Sequence, residues 1–306
     1  MTKRKLILLI VTGVLFVIAL LQSILGNLSP VKTIKLDTEP DKITVTSSSN
    51  SYELTKKNGT WYVGTDNFEA KKTEVNQMIK AVQEIKVLEK VGSASNEMLE
   101  ERFDLLDAKA IVVTATKQDK ELRTIKIGKS TSTGSQSYVT LDNKKEVYLI
   151  SGNLSNIFNK TRDSLRSEYI YEVSSKDISS INVSKNANSW TLERTNKANQ
   201  DSEWKGSGTA ENLVLDNAKV DAWVNQIATL KVSKWLEDDV NIPSNKEVQV
   251  QFTINGQVTD IAIYKEGIGD NAKYICVCNR TPHKAELSKI TATKFIKDVN
   301  ELKKSE

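Results

Sequence analysis

Histidine is nearly missing from this sequence. His283 is the only one in 306 residues, and cysteine occurs only as Cys276 and Cys278. A lone histidine excludes most Ser-His-Asp and Cys-His relays, in which an imidazole must carry the proton. With two cysteines it also falls short of the four-ligand sets that hold structural zinc. His283 follows Pro282 in a polar stretch and reads as a surface residue. Cys276 and Cys278 alternate along a predicted strand, so both face the same side. Core packing accounts for them, because cysteine is often buried. A disulfide across positions i and i+2 of an extended strand is geometrically awkward. No cofactor is expected.

A strong charge excess is missing as well. Lys and Arg total 43, Asp and Glu total 39, and the formal net charge is +4. Lys3, Arg4 and Lys5 supply three of those charges, so the rest of the chain carries +1. A nucleic-acid binder needs a basic face, and this balance does not push toward one. The phosphate-loop pattern is also incomplete. Gly128-Lys129-Ser130-Thr131 lacks the glycine five positions upstream, so it reads as a hairpin loop. Two acidic runs stand out, Glu237-Asp238-Asp239 and the group Glu97, Glu100, Glu101 and Asp104. A carboxylate pair can hydrolyse a glycosidic bond when its separation is set. A calcium loop needs spaced oxygens and a glycine turn. Neither run meets these conditions, and both read as solvated helix ends or loops.

What is present begins with one long apolar run. Residues 6–25 read LILLIVTGVLFVIALLQSIL, with no charge. About twenty apolar residues suffice for a helix to span a bilayer. Lys3-Arg4-Lys5 precedes the run, which places the N-terminus in the cytoplasm. The exit, Leu21-Gln22-Ser23-Ile24-Leu25-Gly26, is a poor cleavage site for a signal peptide. The organisation expected is a cytoplasmic tail over 1–5, a membrane anchor over 6–26 and a tether over 27–33. A single-pass protein of the cell membrane follows, with its C-terminal part extracytoplasmic.

That part contains an internal repeat with a period of about 137 residues. Ile43-Thr44-Val45-Thr46 corresponds to Ile181-Asn182-Val183-Ser184, and Tyr52-Glu53-Leu54 to Trp190-Thr191-Leu192. Trp61 corresponds to Trp204. Period-two alternation with polar turns between the runs indicates antiparallel strands. Val75, Met78, Ile79, Val82, Ile85 and Leu88 form a helical stripe. Val220, Trp223, Val224, Ile227 and Leu230 repeat it. Further strands pair Tyr138-Val139-Thr140-Leu141 with Tyr274-Ile275-Cys276-Val277, and Phe158 pairs with Phe295 in C-terminal helices. The fold class expected is α+β, with two repeated domains of mainly antiparallel sheet and covering helices, over 34–167 and 168–306.

These pieces, in this order, resemble a bacterial family of domains of unknown function, numbered forty-three forty. The resemblance is carried by the N-terminal anchor, by Tyr52-Glu53-Leu54-Thr55 with Asn58-Gly59-Thr60-Trp61, by the helix from Val75, and by the Phe103-Asp104-Leu105 turn. In the family that turn resembles Tyr-Gly-Leu-Asp-Pro. Here Phe103 and Asp104 replace its first two residues, and Val240-Asn241-Ile242-Pro243 is the version in the second copy. The resemblance implies a non-enzymatic accessory or binding component beside a gliding-motility-type ABC transporter. A cell-envelope hydrolase using a carboxylate pair and a small-ligand or glycan-binding module are the alternatives.

Residues that serve a shared core should match between the copies, and residues that bind a partner should differ. The differences fall in 196–202, in 235–239 and in 265–271. Trp235 has no apolar counterpart in the first copy. Trp235, Glu237, Asp238 and Asp239 are therefore the candidate partner-binding residues. Any binding surface should draw on these segments or on the groove between the halves.

Overall fold

The computed structural model describes residues 32–304 except 95–96, 197–200, 238 and 255, together with residues 4, 12–18 and 20. Residues 12–18 are helical. Among the described residues no helix is long and apolar enough to cross a membrane. Most of the span 6–26 lies outside the described residues. The fold is α+β and mostly antiparallel sheet. The chain divides into two compact units, Met1–Ser167 and Glu168–Glu306.

The strands of the first unit are β1 Lys32–Lys35, β2 Lys42–Thr46, β3 Ser51–Lys57, β4 Thr60–Val63, β5 Phe68–Glu69, β6 Glu84–Ser93, β7 Ile111–Lys117, β8 Lys120–Ser130, β9 Gln136–Leu141 and β10 Glu146–Ser151. Its helices are α1 Lys72–Gln83, α2 Glu97–Arg102, α3 Leu154–Phe158 and α4 Arg162–Leu165. The strands form one sheet in the order β1-β6-β10-β9-β8-β7-β2-β3-β4-β5. Alternate residues decide its inner face. Ile43, Val45, Tyr52, Leu54, Val113, Ile125, Ile127, Val139 and Leu141 are buried. Helix α1 lies over that face with Val75, Met78, Ile79 and Val82 buried.

The second unit comprises β11 Tyr169–Glu172, β12 Ile178–Lys185, β13 Asn188–Arg194, β14 Trp204–Gly208, β15 Thr229–Lys231, β16 Lys234–Trp235, β17 Lys246–Ile254, β18 Gln257–Glu266, β19 Lys273–Cys278 and β20 Ala285–Leu287. Its helices are α5 Asn217–Ile227 and α6 Lys289–Phe295. Eight strands run β14-β13-β12-β17-β18-β19-β20-β16, and β11 pairs with β15 in a separate ribbon. Each strand from β10 through β4 in the first unit has a counterpart from β20 through β14, in the same sequence of neighbours. The long β6 corresponds to β15 and β16, which are interrupted at Val232 and Ser233.

The register agrees at the level of residues. Val45 pairs with Tyr52 and Val113, and Val183 pairs with Trp190 and Val250. Ile125 pairs with Leu141, and Ile261 with Cys278. Ile127 pairs with Val139, and Ile263 with Cys276. Cys276 and Cys278 therefore occupy the places of Val139 and Leu141. Both are buried and free. Val75 and Val220 are both fully buried on their helices, as are Phe158 and Phe295.

Three expectations about strands and helices need correction. The helical stripes are too long by their last members. The first helix ends at Gln83, and Ile85 and Leu88 belong to β6. The second ends at Ile227, and Leu230 belongs to β15. Ile85 and Val87 are buried while Lys86 between them is exposed, a period of two that an i+3 count over a β-branched run overlooks. The pairing of Tyr138 with Tyr274 is off by one residue. Tyr138 precedes Val139 and faces outward, whereas Tyr274 sits two before Cys276 and faces the core. A one-residue slip in a strand changes the face. Finally, the hairpin loop expected from Gly128 begins only at Thr131, because Gly128 to Ser130 are the end of β8.

Candidate functional site

The structure describes Trp235, Glu237 and Asp239 of the candidate partner-binding segment. Trp235 is half-buried in β16 and packs on the core of the second unit. Its ring meets that of His283 edge-on, with centroids 6.1 Å apart. Glu237 and Asp239 are exposed, and Asp238 lies outside the described residues. His283 is not a surface residue: it is 7% exposed. The turn after β19 folds it back under Trp235, a tertiary contact that Pro282 and the polar neighbours did not announce. Next to it, the Lys284 ammonium donates to the Val240 carbonyl at 2.7 Å and ties down the loop leading to β17. Trp61, Trp190, Trp204 and Trp223 are all buried.

The loop over 265–271 behaves differently. Gly267 and Gly269 both adopt positive φ, at 83° and 69°. Such backbone is open to glycine at little steric cost. Between them, at the tip of the β18–β19 hairpin, Ile268 is 92% exposed.

A second feature lies on the outer face of the first unit, beside the acidic group of Glu97, Glu100, Glu101 and Asp104. A cavity of about 360 Å³ is lined by Glu100, Asp107, Thr124, Lys126, Thr140, Asn143, Lys144 and Lys145, with Ala94 and Val112. Strand register builds it: Val112, Lys126 and Thr140 lie side by side on β7, β8 and β9. The Lys126 ammonium is 2.8 Å from Asp107 and 3.0 Å from Glu100. Burial pulls its pKa down, but the hydrogen bonds and charges of Asp107 and Glu100 prevail and hold it above the usual lysine value. The hydrogen bond from Lys126 lowers the Asp107 pKa.

The segment carrying Glu100 and Asp107 is seated by Phe103. Its ring stacks on Tyr138 with centroids 4.4 Å apart, and Leu105 and Val147 complete a small apolar cluster. The Phe103 carbonyl accepts from the Lys129 amide at 2.9 Å. A side chain at Gly128 would place its Cβ 2.0 Å from that carbonyl. Gly128 thus serves close backbone approach. Asp104 takes positive φ, 55°, at the position where the resembled turn has glycine.

Among the described residues, no group of three or more His, Cys, Asp or Glu side chains is placed to hold a metal ion. The model of the family described as "Domain of unknown function (DUF4340)" matches residues 61–249. The chain belongs to this family. The match runs from β4 of the first unit into β17 of the second and covers more than half of the chain. No curated protein and no solved structure matches the chain.

Proposed function

We propose that this DUF4340 protein is a membrane-anchored, extracytoplasmic accessory protein without enzymatic activity. Two copies of one α+β unit, arisen by duplication, would present a binding surface to an ABC transporter complex. The observation that carries the reading is Ile268. It belongs to the 265–271 segment, which differs from the first copy, and it offers an almost fully exposed aliphatic side chain. An apolar group raised on a glycine-flanked tip gains free energy only when something covers it. The anchor is supported by residues 12–18, whose helix leaves Val14, Leu15, Phe16, Val17 and Ile18 exposed.

Two measurements test this. A reporter active only in the cytoplasm, fused after Glu306, should be silent, and a strong signal would overturn the orientation. A photo-crosslinking residue at position 268 should give one discrete adduct with an ABC transporter subunit in living cells. The same residue at exposed Lys120 should give none. Equal labelling from both positions, or adducts without a transporter subunit, would reject the partner.

A further inference from the structure

We propose that the outer-face cavity around Lys126 is a binding site for a small soluble oxyanion, with Asp107 occupying the anion's place in the ligand-free protein. This goes beyond the accessory role and does not depend on the transporter.

Four observations converge. First, Lys126 is 22% exposed and opens into a cavity of about 360 Å³, room for a small ligand. Second, its two carboxylate partners are unequal. Glu100 is as enclosed as Lys126, at 22%, and keeps the ammonium charged and oriented from one side. Asp107 is 93% exposed, on the loop between α2 and β7. A carboxylate this exposed gains little from such a pair, so Asp107 is readily displaced. Third, once Asp107 swings out, the lining keeps three lysines, Lys126, Lys144 and Lys145, and one carboxylate, Glu100, while Glu121 and Asp142 stand just beyond it, hydrogen-bonded to Thr124. The Thr140 hydroxyl and the Asn143 amide add neutral donors of the kind that surround bound anions, whereas the Thr124 hydroxyl donates to Glu121 at 2.9 Å.

Fourth, the arrangement is absent from the second unit although the strand register is the same. Gln249, Ala262 and Val277 stand where Val112, Lys126 and Thr140 stand in the first. Asp260 replaces Thr124 and accepts from the Gln249 amide at 3.0 Å. Core positions keep their apolar character between the copies, whereas this outer-face row does not. An ion pair needed only to stabilise the fold gives no reason for two more lysines on the rim of the same cavity.

Inorganic phosphate is the probe, titrated into the full chain in detergent micelles and followed by calorimetry. Wild type should bind weakly and saturably. Asp107→Asn removes the competing carboxylate and should tighten phosphate binding about threefold, in line with an exposed pair. Lys126→Gln should abolish it, and Lys144→Gln should weaken it. If Lys126→Gln fails to fold, the Asp107→Asn result decides, because that change lies on an exposed loop. Absence of phosphate binding by both wild type and Asp107→Asn overturns the proposal. So does binding that survives Lys126→Gln unchanged.

Discussion

The Tyr52 hydroxyl donates to the Phe158 carbonyl at 2.8 Å, tying β3 to the end of α3 in the first unit. The second unit makes an equivalent tie from another element. Trp190 stands at the Tyr52 position without a phenol, and Trp223, three residues after Val220, donates to the Lys294 carbonyl at 2.8 Å. Trp190 and Trp223 pack with ring centroids 5.4 Å apart. Tyr52→Phe should therefore lower stability of the first unit by about 1 kcal/mol, since the Phe158 carbonyl keeps the Lys160 amide as a second donor. Hydrogen exchange should quicken in α3 and stay unchanged in α6.

Gly128→Ala should be far more damaging. Its Cβ would lie 2.0 Å from backbone oxygen, which no side-chain rotation relieves. We expect a loss of at least about 2 kcal/mol and release of the Phe103 cluster. Chemical denaturation gives the loss, and hydrogen exchange in α2 reports release of the cluster. A variant as stable as wild type would show that the chain does not approach itself there.

At Asp104 the backbone is left-handed, with φ 55°. Asp104→Ala should cost about 1 kcal/mol, whereas Asp104→Gly should be close to neutral. The exposed Lys109 partner at 3.1 Å contributes little to either result. Equal losses from both variants in a denaturant titration would place the effect in the side chain rather than the backbone.

Cys276 and Cys278 should be chemically silent. Burial raises both thiols, so the thiolate that alkylating agents need is scarce in the native state. Iodoacetamide at mildly alkaline pH should label neither cysteine until denaturant is added. Cys276→Val should change stability by less than about 1 kcal/mol, because valine already fills the same place at Val139. Rapid native labelling would reveal a thiol site.

Lys126 predicts a pH dependence. Its pKa is raised in the folded protein, so its ion pairs contribute stability below the ordinary lysine value. That contribution disappears as pH rises through the folded value. Thermal melts on the alkaline side should show a fall in Tm that Lys126→Gln lacks. Identical alkaline limbs would mean that the ion pairs contribute nothing.

Much of this organisation is legible along the chain because it is local. Alternation of apolar and polar residues marks the strands, and the repeated order Trp61 with Trp204, Val75 with Val220 and Phe158 with Phe295 marks two similar units. Strand period puts Cys276 and Cys278 on one face, and the tendency of cysteine to be buried points that face to the core. Tertiary structure decided what depends on residues distant in sequence. The helix-to-strand switch at Glu84 arises because Ile85 pairs with Ile34 of β1 and Val87 pairs with Lys32 of β1 and Ile150 of β10, and a helical count cannot anticipate that. His283 reads as exposed until Trp235, nearly fifty residues earlier, covers it. Lys126, Glu100 and Asp107 belong to a strand and a helix–loop segment whose approach is set by Phe103 on Tyr138 and by the open backbone of Gly128. Charged residues carry no periodic signal on a solvated face, so their convergence emerges only when the sheet brings β8 beneath that segment.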